Sequence, residues 1–163
     1  MANTVADRIS AVDRLVSLVQ DVSAGLPTGA QILHVYRHEP QALFDGRVAA
    51  VVYRGDAEPD GYGGKTWGHV LTALRFDLNV YWPVSGYDPG YLDDIELEVM
   101  NIDRAIVKAV SADRDLGGTV SALTLGDSDT SYISMTSPED AVVARKLSRE
   151  VRVQLLDAEA VAL

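Results

Sequence analysis

Apolar residues recur with two different periods along this chain, and the change of period divides it into elements. From Thr4 to about Ala24, Val5, Ile9, Val12, Val16 and Val19 step by four and three, and Leu15, Leu18 and Val22 widen the stripe. That spacing predicts an amphipathic helix. Thr4 with Asp7 three residues on approaches a capping box, and Gly25 followed by Pro27 stops the helix. A second helix is predicted from about Gly90 to Ala112, where Leu92, Ile95, Val99, Ile102, Ile106 and Ala109 show the same steps. Asp88 is placed to cap it, Pro89 takes the first helical position, and Leu116-Gly117-Gly118 ends it.

Elsewhere the period is two. The clearest alternation runs from Val70 to Trp82: Val70, Thr72, Leu74, Phe76, Leu78, Val80 and Trp82 hold one face, and Arg75, Asp77, Asn79 and Tyr81 the other. A closing strand is expected at about Val143 to Leu156. There Leu147, Val151, Val153 and Leu155 point inward, Ser148, Glu150, Arg152 and Gln154 point outward, and Arg149 breaks the alternation. Gln31–Arg37 and Arg47–Arg54 are short β-rich runs, separated by a loop holding Pro40 and Gly46. Val120–Leu125 and Ser131–Met135 read as a β-hairpin across Gly126–Thr130. Residues 55–66, with Pro59, Gly61, Gly63 and Gly64, have no period and read as a long exposed loop between antiparallel strands.

The predicted architecture is an α+β domain covering residues 1–163, with two amphipathic helices packed on one face of a mainly antiparallel mixed sheet. The second sheet face is polar. Its outward residues Arg75, Asp77, Asn79, Tyr81, Glu150, Arg152 and Gln154 suit a subunit contact as well as solvent.

Composition narrows the function classes. The chain has 163 residues, enough for one sizeable core, and is 47% hydrophobic and 23% charged. Its longest uninterrupted apolar run, Val48 to Tyr53, falls far short of the roughly 20 residues that span a bilayer. Asp7, Arg8, Asp13 and Arg14 interrupt the N-terminal apolar residues, so neither a signal peptide nor a membrane partner is expected. With no cysteine, disulfide and thiolate chemistry are excluded. A formal net charge of -10 opposes binding to phosphate backbones.

Candidate chemistry is sparse. His34 and His38 fall in a strand and its exit rather than at helical spacing, and His69 stands apart, so no metal is expected. Gly61-Tyr62-Gly63-Gly64-Lys65-Thr66 lacks the glycine spacing of a phosphate loop and runs into a strand. It reads as a mobile tip. Asp56, Glu58, Asp60, Tyr62, Lys65 and Trp67 are its candidate contact residues, the two aromatics above all. Asp88, Asp93, Asp94, Glu96 and Glu98 form an acidic start to the second helix, where the macrodipole favours acids and solvent or a basic partner must meet them. No nucleophile elbow occurs, and neither an enzyme nor a cofactor is expected.

Taken in order, these elements resemble the tail terminator proteins of long-tailed bacteriophages, also called minor tail protein U or tail completion proteins. The resemblance covers most of the chain. It rests on Ala24-Gly25-Leu26-Pro27 closing the first helix and on Leu78-Asn79-Val80-Tyr81-Trp82 ending the central strand. The second helix Asp103-Arg104-Ala105-Ile106-Val107-Lys108-Ala109-Val110, running on to Leu116-Gly117-Gly118-Thr119-Val120, and the alternating closing strand complete it. What it implies is a structural virion protein of the tail, assembled in the host cytoplasm. Copies would form a ring, expected to be hexameric, that caps the tail tube, ends its polymerisation and offers a joining surface to the head-side connector. The tail tube protein and the connector would be its partners, and DNA would pass through the ring without specific binding, eased by the negative charge. Another head–tail neck protein, or a small-molecule-binding or enzymatic α+β domain, is the alternative.

Overall fold

The computed structural model describes residues 5–27, 30–40, 47–59, 65–66, 69–86, 88–116, 122–136 and 141–157. Their elements run α1 (Val5–Ala24), β1 (Ile32–Tyr36), β2 (Arg47–Pro59), β3 (Lys65–Thr66), β4 (His69–Val84), α2 (Pro89–Ala112), β5 (Ala122–Thr136) and β6 (Ala141–Asp157). The fold is α+β as the periodicities predict: both helices pack on one side of a mixed sheet ordered β1-β2-β4-β6-β5, with β3 also pairing β4. All pairings are antiparallel except β1 with β2.

The core lies between the layers. From the sheet it takes Ala49 and Val51 of β2, Leu74, Phe76, Leu78, Val80 and Trp82 of β4, and Leu147, Val151 and Val153 of β6. The helices supply Ala11, Leu15, Leu18 and Val19 from α1 and Ile95, Val99, Ile102, Ile106 and Val110 from α2. Burying each such aliphatic side chain contributes about 1.5–3 kcal/mol, which is why the two periodicities dominate the fold. Ser23 fastens the end of α1 to the sheet: its Oγ accepts from the Ile32 N–H at 2.7 Å and donates to the Ile32 carbonyl at 3.2 Å. Asp88 caps α2 by accepting from the Tyr91 N–H at 3.2 Å, with Pro89 at the first turn. Beyond α2, Leu116 takes the left-handed conformation at φ 49° and is fully buried, so its place in the core offsets the backbone cost.

Two sequence expectations are corrected here. Ala122–Thr136 is one continuous strand, not a hairpin: of the segment expected to turn, Gly126 and Asp127 fall in a register shift and Ser128–Thr130 pair with Arg149, Ser148 and Leu147 of β6. The fifteen-rung partnership of β4 with β6 carries β6 far enough to template the whole of β5, and a bulge absorbs the polar interruption. The long loop at 55–66 is also shorter than expected. Residues 55–59 continue β2, with Ala57, Glu58 and Pro59 opposite Leu74, Ala73 and Thr72, and Lys65–Thr66 form β3 against Val70 and His69. Residues 60–64 lie outside the described residues.

Candidate assembly surfaces

The acidic start of α2, the polar sheet face and the 55–67 segment are treated differently by the fold. The acidic start of α2 is largely engaged within the chain. Glu98 pairs with Arg47 of β2, whose Nε lies at 3.0 Å. Glu96 pairs with Arg145 of β6; NH2 donates at 3.1 Å, and Nε lies 2.7 Å away but off the line of a hydrogen bond. Asp88 is spent on the helix cap. Asp93 and Asp94 remain exposed. The absence of a base within the acidic run therefore has a tertiary answer: the bases stand on the helix-facing side of the strands below.

Arg149, the residue that breaks the alternation of β6, belongs to the same set. It occupies a rung opposite Leu78 on the helix-facing side and reaches Asp103 of α2 through Nε at 3.0 Å and NH2 at 2.7 Å. Its NH1 donates to the Gly126 carbonyl at 3.0 Å, at the β5 bulge. Sequence reasoning did not find this role for Asp103; the broken alternation at Arg149 was the available signal.

The second group shares the outer sheet face, as expected, but not as one uniform surface. Register places Arg75 opposite Arg152 and Asp77 opposite Glu150, with Asn79 opposite Ser148 and Tyr81 opposite Lys146. Like charges on directly opposite rungs repel. Arg54 of β2 compensates one pair, 3.2 Å from Asp77 and 3.9 Å from Glu150. Burial nevertheless holds the Asp77 carboxyl above its ordinary pKa, with Glu150 adding to the effect and Arg54 opposing it. Arg152 keeps its Nε buried without a hydrogen-bond partner among the described residues, and Gln154 ends the row opposite Ala73.

Tyr81 and Asn79 are not free contact residues. Both are almost fully buried, because Glu39, just beyond β1, folds over this end of the outer face. Glu39 accepts from the Tyr81 hydroxyl, from Asn79 Nδ2 at 3.2 Å and from Lys146 Nζ at 3.3 Å. Desolvation, then the Glu39 carboxylate, pushes the Tyr81 phenol far above its ordinary pKa, so it stays a donor. Around this polar clasp lies a second small apolar cluster of Val48, Ala50, Tyr81, Met135 and Ala144. The outer face expected to be wet is thus partly covered from within the chain. Glu39, Lys146 and Arg54 are further residues that sequence reasoning missed, since strand register and the path of the chain beyond β1 bring them together.

Of the third group, Asp56 and Glu58 sit on the end of β2 and Lys65 on β3, while Asp60, Tyr62 and Trp67 lie outside the described residues. A cavity of about 310 Å³ opens between the first turns of α2 and the ends of β2 and β4, lined by Arg47, Trp82, Tyr91, Asp94, Ile95 and Glu98. Trp82 Nε1 is buried there without a hydrogen-bond partner among the described residues. No group of three or more histidine, aspartate or glutamate side chains placed to hold a metal occurs among the described residues, nor a helix long and apolar enough to cross a membrane. Compared with protein-family models and with curated protein sequences, the chain matches none.

Proposed function

We propose that this chain is the subunit of a ring that caps a phage tail tube, ending tube growth and presenting a joining surface to the head-side connector. One observation carries the reading. The segments behind the tail-terminator resemblance, the end of α1, β4, the second half of α2 and β6, all contribute apolar residues to the core between helices and sheet, while residues 117–120 lie outside the described residues. The role is structural rather than catalytic, and it belongs to the virion tail. Its partners are further copies of the chain, the tube protein and the connector, with DNA passing through the ring. The net charge of -10 suits that passage, because a negative wall does not retain phosphate.

Incubation with purified tail tubes, followed by native mass spectrometry and negative-stain imaging, tests the proposal. Rings of six on tube ends are the expected result; monomers alone, with tubes present, overturn it. Rings that bind the head-side connector and ignore tubes favour a neck protein instead. A second reading, a small-molecule-binding domain, draws on the cavity beside Trp82 Nε1, which has no hydrogen-bond partner among the described residues. A thermal-shift screen of small hydrogen-bond acceptors, with Trp82→Phe as control, tests it.

A further inference from the structure

We infer that copies of this chain join edge to edge, the free side of β5 in one copy pairing as a strand with the free side of β1 in the next. The inference rests on the ring reading and gives that ring its seam. Among the described residues the sheet ends on β1 at one side and on β5 at the other. A sheet edge presents unpaired backbone N–H and C=O groups, and folded proteins blunt long edges with charged side chains, proline, bulges or a covering segment. β5 runs fifteen residues with no lysine, arginine or proline, and Thr124, Ser128, Thr130 and Ser134 along it are exposed. Its one interruption is the bulge before Ser128. Each edge strand also carries an exposed large side chain, Leu33 on β1 and Tyr132 on β5, both more than half accessible.

The occupant of the β5 edge is a second copy, and charge selects which part of it. β5 carries Asp127 and Asp129, both exposed, and no base. The segment from Gln31 to His38 carries no acid and holds His34, Arg37 and His38, all exposed. Arg37 already meets Asp13 at 2.6 Å, yet remains more than half accessible. Two β5 strands in full antiparallel overlap would instead set Asp129 against Asp129, since that residue is the midpoint of Ala122–Thr136. A β5-to-β1 contact joins different surfaces of two copies, so it propagates in one direction and closes into a ring when the rotation allows. The Ile32 backbone is already held by Ser23, so overlap over the remaining Leu33–Tyr36 extends about 13 Å at ~3.3 Å per residue, and backbone pairing of this kind is an established mode of association.

The chain contains no cysteine, so introduced thiols report the seam without background. Leu33→Cys is mixed with single-cysteine variants at Thr124, Ser128, Thr130, Tyr132 or Ser134 and oxidised where native mass spectrometry detects rings. A disulfide-linked dimer is expected from the Leu33→Cys mixture at one β5 position and its neighbours, and not from the β5 variants alone. One chain carrying both cysteines of the reactive pair should give a ladder ending at the ring size. Rings that form with no Leu33–β5 cross-link, or with β5–β5 cross-links in their place, overturn the seam and leave the ring reading standing. Cross-linked rings that do not cap tubes support the seam and overturn the capping role. A monomer at every concentration, with and without tubes, overturns both.

Discussion

Arg149 and Asp103 join the last strand to the second helix through a two-pronged guanidinium–carboxylate contact, with Nε at 3.0 Å and NH2 at 2.7 Å, and only 14% and 25% of the two side chains accessible. Together with Arg47–Glu98 and Arg145–Glu96, this contact ties α2 to the sheet by three charged pairs flanking an apolar seam. Bidentate geometry and partial burial raise such a pair above an ordinary surface ion pair, while the carboxylate's remaining exposure reduces what it contributes.

Arg149→Ala should lower unfolding stability by about 2–3 kcal/mol, because it strands Asp103 and removes the donor to the Gly126 carbonyl. Replacing both partners, Arg149→Met with Asp103→Leu, should recover most of the loss, since no charge is then left unpaired. Urea denaturation of the single and double variants measures both. Equal loss in the two would show that packing, not charge, decides this contact.

Gly126 is needed for space. A Cβ at that position would stand 2.9 Å from Glu150 Cβ, the near end of its neighbour's side chain rather than a flexible tip. Gly126→Ala should therefore destabilise by about 1–3 kcal/mol, acting through the bulge that keeps β5 on β6. Thermal unfolding checks the size, and amide exchange along residues 122–130 checks the place. Unchanged exchange there would refute the assignment.

Tyr81→Phe removes the hydroxyl that donates to Glu39 and should cost about 1–2 kcal/mol at neutral pH. The phenol pKa is raised in the folded state, so the native form holds this proton where the unfolded chain has lost it. Stability should accordingly fall as pH rises above the ordinary value of 10.0. Tyr81→Phe should lose that part of the alkaline decline, and stability measured from pH 8 to 11 compares the two slopes. Parallel slopes would disprove the linkage.

Asp77 shows the corresponding behaviour in acid. Its raised pKa means that the folded state binds the proton more tightly than the unfolded chain does. The sign follows: Asp77's contribution to stability declines as pH rises from the ordinary value of 3.8 through the raised one, and is level above it. The stability of Asp77→Asn relative to the parent should therefore grow with pH across that window and then flatten. Urea midpoints between pH 3 and 8 provide the test. A difference that shrinks as pH rises would mean that Arg54, rather than burial and Glu150, governs this carboxyl.

Much of the fold could be read before any tertiary contact was known. The helical stripes from Val5 to Val19 and from Leu92 to Ala109, and the alternation from Val70 to Trp82, are local statements about which residues must leave water. Each element they predict is present, and Val16, Val19, Ile95, Val99, Ile102, Ile106, Leu74, Phe76, Leu78, Val80 and Trp82 lie in the core, whereas Ile9 of the first stripe stands exposed near the start of α1. Asp88 as helix cap was legible for the same reason: the capping bond spans three residues.

The tertiary structure decided what depends on register and neighbours. Gly126–Thr130 has the composition of a turn, yet pairing with β6 keeps it extended, because the rungs available on a long partner outweigh local turn preference. Glu39 over Tyr81, Arg54 beside Asp77 and Arg149 against Asp103 join residues 42, 23 and 46 positions apart, and no periodicity encodes which charges those strands bring together. Local periodicity sets which residues of the helices and of β4 leave water. Only the folded sheet decided that one end of the polar face is covered by the chain's own Glu39, and that two strand edges are left open among the described residues, because strand order is set by long-range pairing.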